Sequence, residues 1–426
     1  MKSIRRITII LPTVLLLFAC EYTEEDPIPS DIHIQDALAV FSDDTQSLKK
    51  ITFDGSVETV ALNDVQGDEM ELHSTFPTVG RSNLLYVNIN YYDYAVHRAS
   101  GKAIPFDGYT SLDGHNDTSI FTSYANANDY ERNDIQTIND RYAFRITDHK
   151  SNTVELQSAH FTSDGQLKSS PVLGSKHVTH FMLSDSGLLA YTTRDISGSG
   201  LCTTHITSGT GGKRIEHDPG VFYWKGASGD LYYLASSTSV SSLNDINRVN
   251  ADETLSTELV GHSTDNIEGP CERDIQWIGT IENRSYYLRL WVNDLIEFNE
   301  DTMSFRVLDV LPDRGLVGAG VAGDYIYYWG EFTQYDEPDR FTVSAVDQLD
   351  PISEVTTRIY TGDPVLVGYI DNDTLWAHMS TPGLHSWVGK IDNLSTLTGP
   401  TSITEVYRPT GTFDGGLTFN YVWLGR

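Results

Sequence analysis

Two stretches of this 426-residue chain bring acids and a histidine close enough in sequence to do chemistry. "DGYTSLDGHNDTSIFTSYANANDYERND", residues 107–134, carries Asp113, His115, Asp117, Asp129, Tyr130 and Glu131; "GHSTDNIEGPCERD", residues 261–274, carries His262, Asp265, Glu268 and Glu272. A carboxylate beside an imidazole serves general acid–base catalysis or holds a metal ion. Closely spaced oxygens suit calcium, which takes about six to eight of them, so calcium is the one cofactor these residues suggest. "DGHNDTS" lacks the EF-hand spacing, and a solvated turn is the alternative reading. Elsewhere, "SGTGGKRI" lacks both the spacing of a phosphate-binding loop and the hydroxyl residue that follows its lysine. His177 and His180 stand three apart in a predicted strand, which turns them to opposite faces and away from a shared metal. Chain order alone assembles no Ser-His-Asp set, and no catalytic residue is assigned.

The elements that would carry these loops are strands. An apolar strand, a short Gly, Asn, Asp or Ser turn and a strand rich in Tyr, Leu and Trp recur along the chain, as in "VTHFMLSDSGLLAYTT" (178–193), "GVFYWKGASGDLYYLAS" (220–236), "LVGAGVAGDYIYYWG" (316–330) and "LVGYIDNDTLWAHM" (366–379). Such turns suit two-residue hairpins, because these residues tolerate positive φ. Each hairpin is followed by a more polar pair, such as "DLIEFNEDTMSFRVLDVL" (294–311), in which apolar and polar residues alternate with the period of two that marks a half-buried strand. The hairpins return about every 47 residues, a blade-like period, and four strands per unit follow.

The fold class expected is therefore all-β: a β-propeller of four-stranded blades, eight in number, with seven as the alternative. "ALAVFS" (37–42), the outer pair at 47–62 and an inner hairpin at 409–425 would form one composite blade, closing the ring through N- and C-terminal strands. Six of the seven tryptophans, Trp224, Trp277, Trp329, Trp376, Trp387 and Trp423, are spread through these repeats, most of them in predicted strands, and read as core, with glycan stacking as the alternative.

At the N-terminus, "MKSIRRITIILPTVLLLFAC" has a basic start, then an apolar run too short for the roughly 20 residues of a membrane-spanning helix, and then a cysteine. Leu17-Phe18-Ala19-Cys20 resembles the lipobox of bacterial lipoproteins. That resemblance implies a signal peptide over 1–19 and lipid on Cys20. The next residue, Glu21, implies sorting to the outer membrane. "EYTEEDPIPSD" begins an acidic tether over 20–35, and 36–426 reads as one domain. With the blade-like repeats, the chain resembles outer-membrane lipoproteins that carry a β-propeller. Cys202 and Cys271 remain in an oxidising compartment, as a disulfide or as two buried thiols.

The net charge of −30 excludes nucleic acid as a partner, since phosphate backbones are bound by basic side chains. With no catalytic motif, the function expected is that of a monomeric, lipid-anchored envelope module binding a protein or a polymer without catalysis. The alternative is a carbohydrate-binding or carbohydrate-active propeller with its site at the channel mouth, built from His115, Asp117, His262 and Glu268.

Overall fold

The computed structural model describes residues 36–42, 48–60, 84–89, 92–97, 102–105, 130–138, 141–148, 153–161, 167–172, 177–195, 202–208, 213–236, 243–251, 255–264, 275–289, 294–308, 311, 315–336, 339–380, 387–408 and 421–423. Within them the chain is almost wholly β-strand, with a single 3-10 turn at Leu394–Thr396. No helix among the described residues is long and apolar enough to cross a membrane.

Among the described residues six sheets each take four consecutive strands in antiparallel order, and a seventh four-stranded sheet joins strands from both ends of the chain. Sheet C comprises Tyr130–Ile138, Arg141–Asp148, Thr153–Phe161 and Leu167–Pro171, and sheet D comprises Val178–Leu183, Leu189–Arg194, Cys202–Thr207 and Arg214–His217. Sheet E comprises Phe222–Lys225, Leu231–Ser236, Asn244–Val249 and Thr257–Ser263. Sheet F comprises Ile275–Ile281, Arg284–Arg289, Asp294–Asn299 and Ser304–Leu308. Sheet G comprises Leu316–Ala322, Tyr325–Asp336, Asp339–Asp350 and Val355–Thr361, and sheet H comprises Val365–Asp371, Thr374–Met379, Trp387–Ile391 and Thr404–Tyr407. Sheet B shows three strands, Leu84–Ile89, Tyr92–His97 and Lys102–Pro105; the strand expected before them lies outside the described residues. Sheet A joins both ends of the chain, with Tyr421–Trp423 beside Ala37–Ser42, then Leu48–Thr52 and Val57–Thr59.

First strands of successive sheets lie against each other: that of sheet C on that of D, F on G, and G on H. Consecutive four-stranded meanders touching through their first strands form a β-propeller architecture. The second strands explain the core. Leu231–Leu234, Ser285–Leu288, Ile326–Trp329 and Leu375–Met379 are buried without alternation, because neighbouring sheets cover both faces. Outer strands alternate, as Arg214–His217 does. Trp224, Trp329, Trp376 and Trp387 are core, as the sequence suggests.

The composite sheet takes Tyr421–Trp423, from the stretch expected as an inner hairpin at 409–425, beside Ala37–Ser42; residues 409–420 lie outside the described residues. One expectation, the length of the hairpin turns, changes. Two-residue turns occur at Glu282-Asn283, Gly323-Asp324 and Asn372-Asp373, each opening on a positive φ of 52, 57 and 52°. Sheets D and E instead use three-residue loops closing on Gly187 and Gly229, at φ 82 and 87°. Both loop lengths match the right-handed twist of the flanking strands.

Hydrogen bonds at these turns tie sheet to sheet. Lys225 pairs with Asp185 of sheet D at 3.2 Å and lies 3.9 Å over the Trp277 ring of sheet F. Glu300 of sheet F accepts from the Ser228 N–H (2.9 Å), the Ser228 hydroxyl (2.8 Å) and the Tyr232 hydroxyl (3.0 Å) of sheet E. Glu300→Ala removes three acceptors at a partly wet site, so an expected loss of about 1–2 kcal/mol should appear in the urea midpoint, with Glu300→Gln retaining part of it.

Candidate functional site

In an antiparallel four-stranded sheet the start of strand one, the end of strand two, the start of strand three and the end of strand four share one end. Every connector from one sheet to the next therefore leaves from that same end, together with the loops between strands two and three. The hairpin turns at Gly187, Gly229, Glu282, Gly323 and Asn372 lie at the opposite, turn end. Both insertions singled out from the sequence are connectors: 107–129 follows sheet B, and 265–274 follows sheet E. Residues 107–129 and 265–274 themselves lie outside the described residues. Asp36 and Trp423 leave sheet A at the turn end, because Ala37–Ser42 occupies the second position of its sheet and Tyr421–Trp423 the first.

Asp113, His115, Asp117, Asp129, Asp265, Glu268 and Glu272 lie outside the described residues, and so does Cys271. Tyr130 and Glu131 open the first strand of sheet C. Cys202 is buried at the start of the third strand of sheet D and is disulfide-bonded, which removes it as a buried thiol; the chain's other cysteines are Cys20 and Cys271. Gly220 donates its N–H to the Cys202 carbonyl at 2.6 Å, which holds the D-to-E connector against this strand.

His262 sits near the end of the fourth strand of sheet E, and Asp245 near the start of the third. The antiparallel register sets them directly opposite each other. His262 Nδ1 lies 2.9 Å from Asp245 Oδ1, with side chains 44% and 17% exposed. A carboxylate accepts, so the neutral ring carries its proton on Nδ1 and leaves Nε2 as the basic nitrogen, the arrangement of a base held by an orienting acid. Asp245 was not among the candidate residues. Its partnership with His262 depends on strand register over 17 residues, which residue type alone does not reveal.

Of the four residues expected together at a channel mouth, His262 alone lies among the described residues. His262 stands on the outermost strand of its sheet, the position farthest from the first strands that meet between sheets. Among the described residues no group of three His, Cys, Asp or Glu side chains is placed to hold a metal ion.

The connector end also carries an element the sequence reading missed. Strands two and three of sheet G run for 12 residues each, about twice the length of their counterparts in D, E, F and H. Strand one pairs only as far as Gly330, and strand four only as far as Ala345. Among the described residues, 332–336 and 339–343 pair with each other alone, in a register that runs from Glu331 opposite Ser344 to Asp336 opposite Asp339. They form a two-stranded ribbon that at about 3.3 Å per residue extends the sheet by roughly 20 Å.

No protein-family model matches the chain, and no curated protein does. Among solved structures it is similar to the β-propeller domain of the trilobed protease from Pyrococcus furiosus, at 10% identity and TM-score 0.36, over 62% of this chain and 81% of that one. It is similar to puromycin hydrolase at 13% identity and TM-score 0.42, over 92% of this chain and 55% of that one. Oligopeptidase B from Trypanosoma brucei matches at 10% identity and TM-score 0.41, over 89% of this chain and 48% of that one. The chain spans about half the length of the last two. These neighbours carry the names of a hydrolase and a peptidase, and the expectation of a module without catalysis finds no support among them.

Proposed function

We propose that this chain acts in peptide hydrolysis at the cell envelope, as the β-propeller that receives the polypeptide. The ring would have eight blades, closed by the pairing of Ala37–Ser42 with Tyr421–Trp423, and the chain would be anchored to the outer membrane by lipid on Cys20. The tether then leaves the fold at the turn end, so the lipid holds that end to the membrane and directs the connector end away from it. A disulfide from Cys202 to Cys271 would tie the 265–274 connector across to sheet D. Calcium held by the carboxylates of Asp113 and Asp117, on either side of His115, belongs to the same proposal, as a brace for the 107–129 connector.

The observation that carries the reading is the sheet G ribbon, whose backbone hydrogen-bonding groups beyond Glu331 and Ser344 meet no other strand among the described residues. Unpaired strand edges are the general means by which proteins hold extended peptides, irrespective of side-chain sequence. His262, oriented by Asp245, would serve as the base at the same end of the fold.

The test is incubation of purified residues 21–426 with an unfolded polypeptide, followed by pull-down and mass spectrometry. Wild type should retain the polypeptide and release shortened products; His262→Ala should retain it and release none. If wild type neither retains nor shortens it, the proposal fails.

A further inference from the structure

The ribbon has two edges, and the backbone fixes what each presents. Glu331 donates its N–H to the Gly315 carbonyl at 2.8 Å, away from strand three, so residue 331 points its backbone groups to the strand-one side. In an antiparallel ladder that direction repeats every second residue. Thr333 and Tyr335 therefore offer their N–H and C=O groups on that side, while residues 332, 334 and 336 bond to strand three. On the other side Gly362 donates to the Ser344 carbonyl at 3.1 Å, which assigns the outward groups there to Arg340 and Thr342. The two edges differ in charge. Strand 331–336, "EFTQYD", has two acids and no base, whereas 339–344, "DRFTVS", has one of each. The whole chain carries −30.

Resting on the reading that polypeptide is the ligand, we infer that the edge of residues 331–336 takes up an extended cationic segment as an added strand, through Thr333 and Tyr335. The acids of this strand and the surrounding negative field recruit lysine or arginine side chains, which raises the encounter rate. The backbone groups give register without demanding a sequence. Two outward residues support only a short pairing, so discrimination comes from charge together with an extended backbone.

The probe is fluorescein-labelled Lys-Val-Lys-Val-Lys-Val-Lys, read by anisotropy against two controls: the Glu-Val counterpart, and the same cationic peptide N-methylated at alternate residues. Both controls are expected to bind at least about tenfold more weakly, the loss of roughly one net interaction. The protein variants are Thr333→Pro with Tyr335→Pro, and Arg340→Pro with Thr342→Pro. Proline at outward-pointing edge positions removes a solvent-side donor and leaves the ladder between the strands in place. The first pair is expected to weaken binding at least about tenfold and the second to leave it within about twofold.

Equal binding of the N-methylated peptide overturns the inference, because charge alone then explains capture. Loss confined to the Arg340 and Thr342 variant overturns the choice of edge. A dimer of wild type by sedimentation that is lost on replacing 333–342 with Asn-Gly makes a second copy the occupant, and also overturns it. In that trimmed chain Phe332 and Val343 stay paired across a two-residue turn. If it still retains and shortens unfolded polypeptide as wild type does, the ribbon inference fails and the proposed function stands. If wild type itself retains none, the proposed function fails.

Discussion

Replacing Trp224 with alanine should lower stability by about 3–5 kcal/mol, the range seen when a fully buried tryptophan is truncated in a core. Trp224 has no exposed surface. Its ring stacks on Phe222 and Tyr232 of its own sheet at 5.4 and 5.7 Å, and meets Phe298 and Phe305 of sheet F edge-on at 5.0 and 4.5 Å. The side chain is thus shared by two sheets that touch through few backbone contacts. Its loss opens a cavity at the joint, and the strand on either side is too regular to collapse into it. Trp224→Phe should cost far less, on the order of 1 kcal/mol, because it keeps most of the packing and also removes an indole N–H that has no hydrogen-bond partner among the described residues. Urea unfolding followed by circular dichroism measures both. The alanine variant should also show a broadened or split transition, since sheets E and F would separate before the others. A loss under 1 kcal/mol for Trp224→Ala would show that the two sheets are held by their turn-end hydrogen bonds and not by this aromatic cluster.

The fold was legible because the residues that build it announce themselves locally. "YIYYW" in sheet G and "LYYL" in sheet E have to be buried on both faces, and only a strand covered by sheets on either side does that. Turn lengths were less legible. Asp185-Ser186-Gly187 and Glu282-Asn283 both contain residues that tolerate positive φ, yet one makes a three-residue loop and the other a two-residue turn. Where the flanking strands take up pairing decides which, and that depends on the whole sheet. The ribbon was missed for a related reason. "EFTQYDEPDRFTV" shows strand-forming residues on both sides of a Pro-bearing turn, but the blade-like period assigned only 316–330 and 341–360 and passed over the residues between. An excess over the period is where an added feature shows. The His262–Asp245 pair needed the register of two strands and had no sequence signal beyond the residues themselves. Net charge says nothing about chemistry, since it argues for solubility and steering and not for fold or reaction.

Acidification should destabilise the protein between about pH 6.5 and pH 4, and His378→Phe should remove much of that slope. His378 lies in the second strand of sheet H, opposite Val367 on one side and Val388 on the other, and is 3% exposed. Burial among apolar strands penalises the imidazolium and pushes its pKa from 6.5 down to about 4. In the unfolded chain the ring titrates at its ordinary value. Above pH 6.5 neither state is protonated, and the contribution is fully present. As pH falls from there the unfolded state takes up a proton that the folded state refuses, so stability drops until the folded ring titrates near pH 4. A gap of that width corresponds to about 3 kcal/mol. Burial also holds His205 and His217 below their ordinary values, so they add to the effect with the same sign. The carboxylates Asp36 and Asp350 are held below 3.8 by hydrogen bonds, from the Lys50 side chain for the first and chiefly from the Ser353 hydroxyl for the second, and they lose their contribution only at lower pH, outside this window. Urea midpoints at pH 7, 5.5 and 4.5 separate the two ranges. Wild type should fall steadily across the three, while His378→Phe, which keeps the volume and removes the titrating nitrogen, should fall by markedly less. An unchanged slope in that variant would move the proton uptake to His205 and His217, where His205→Phe and His217→Phe measure it in turn.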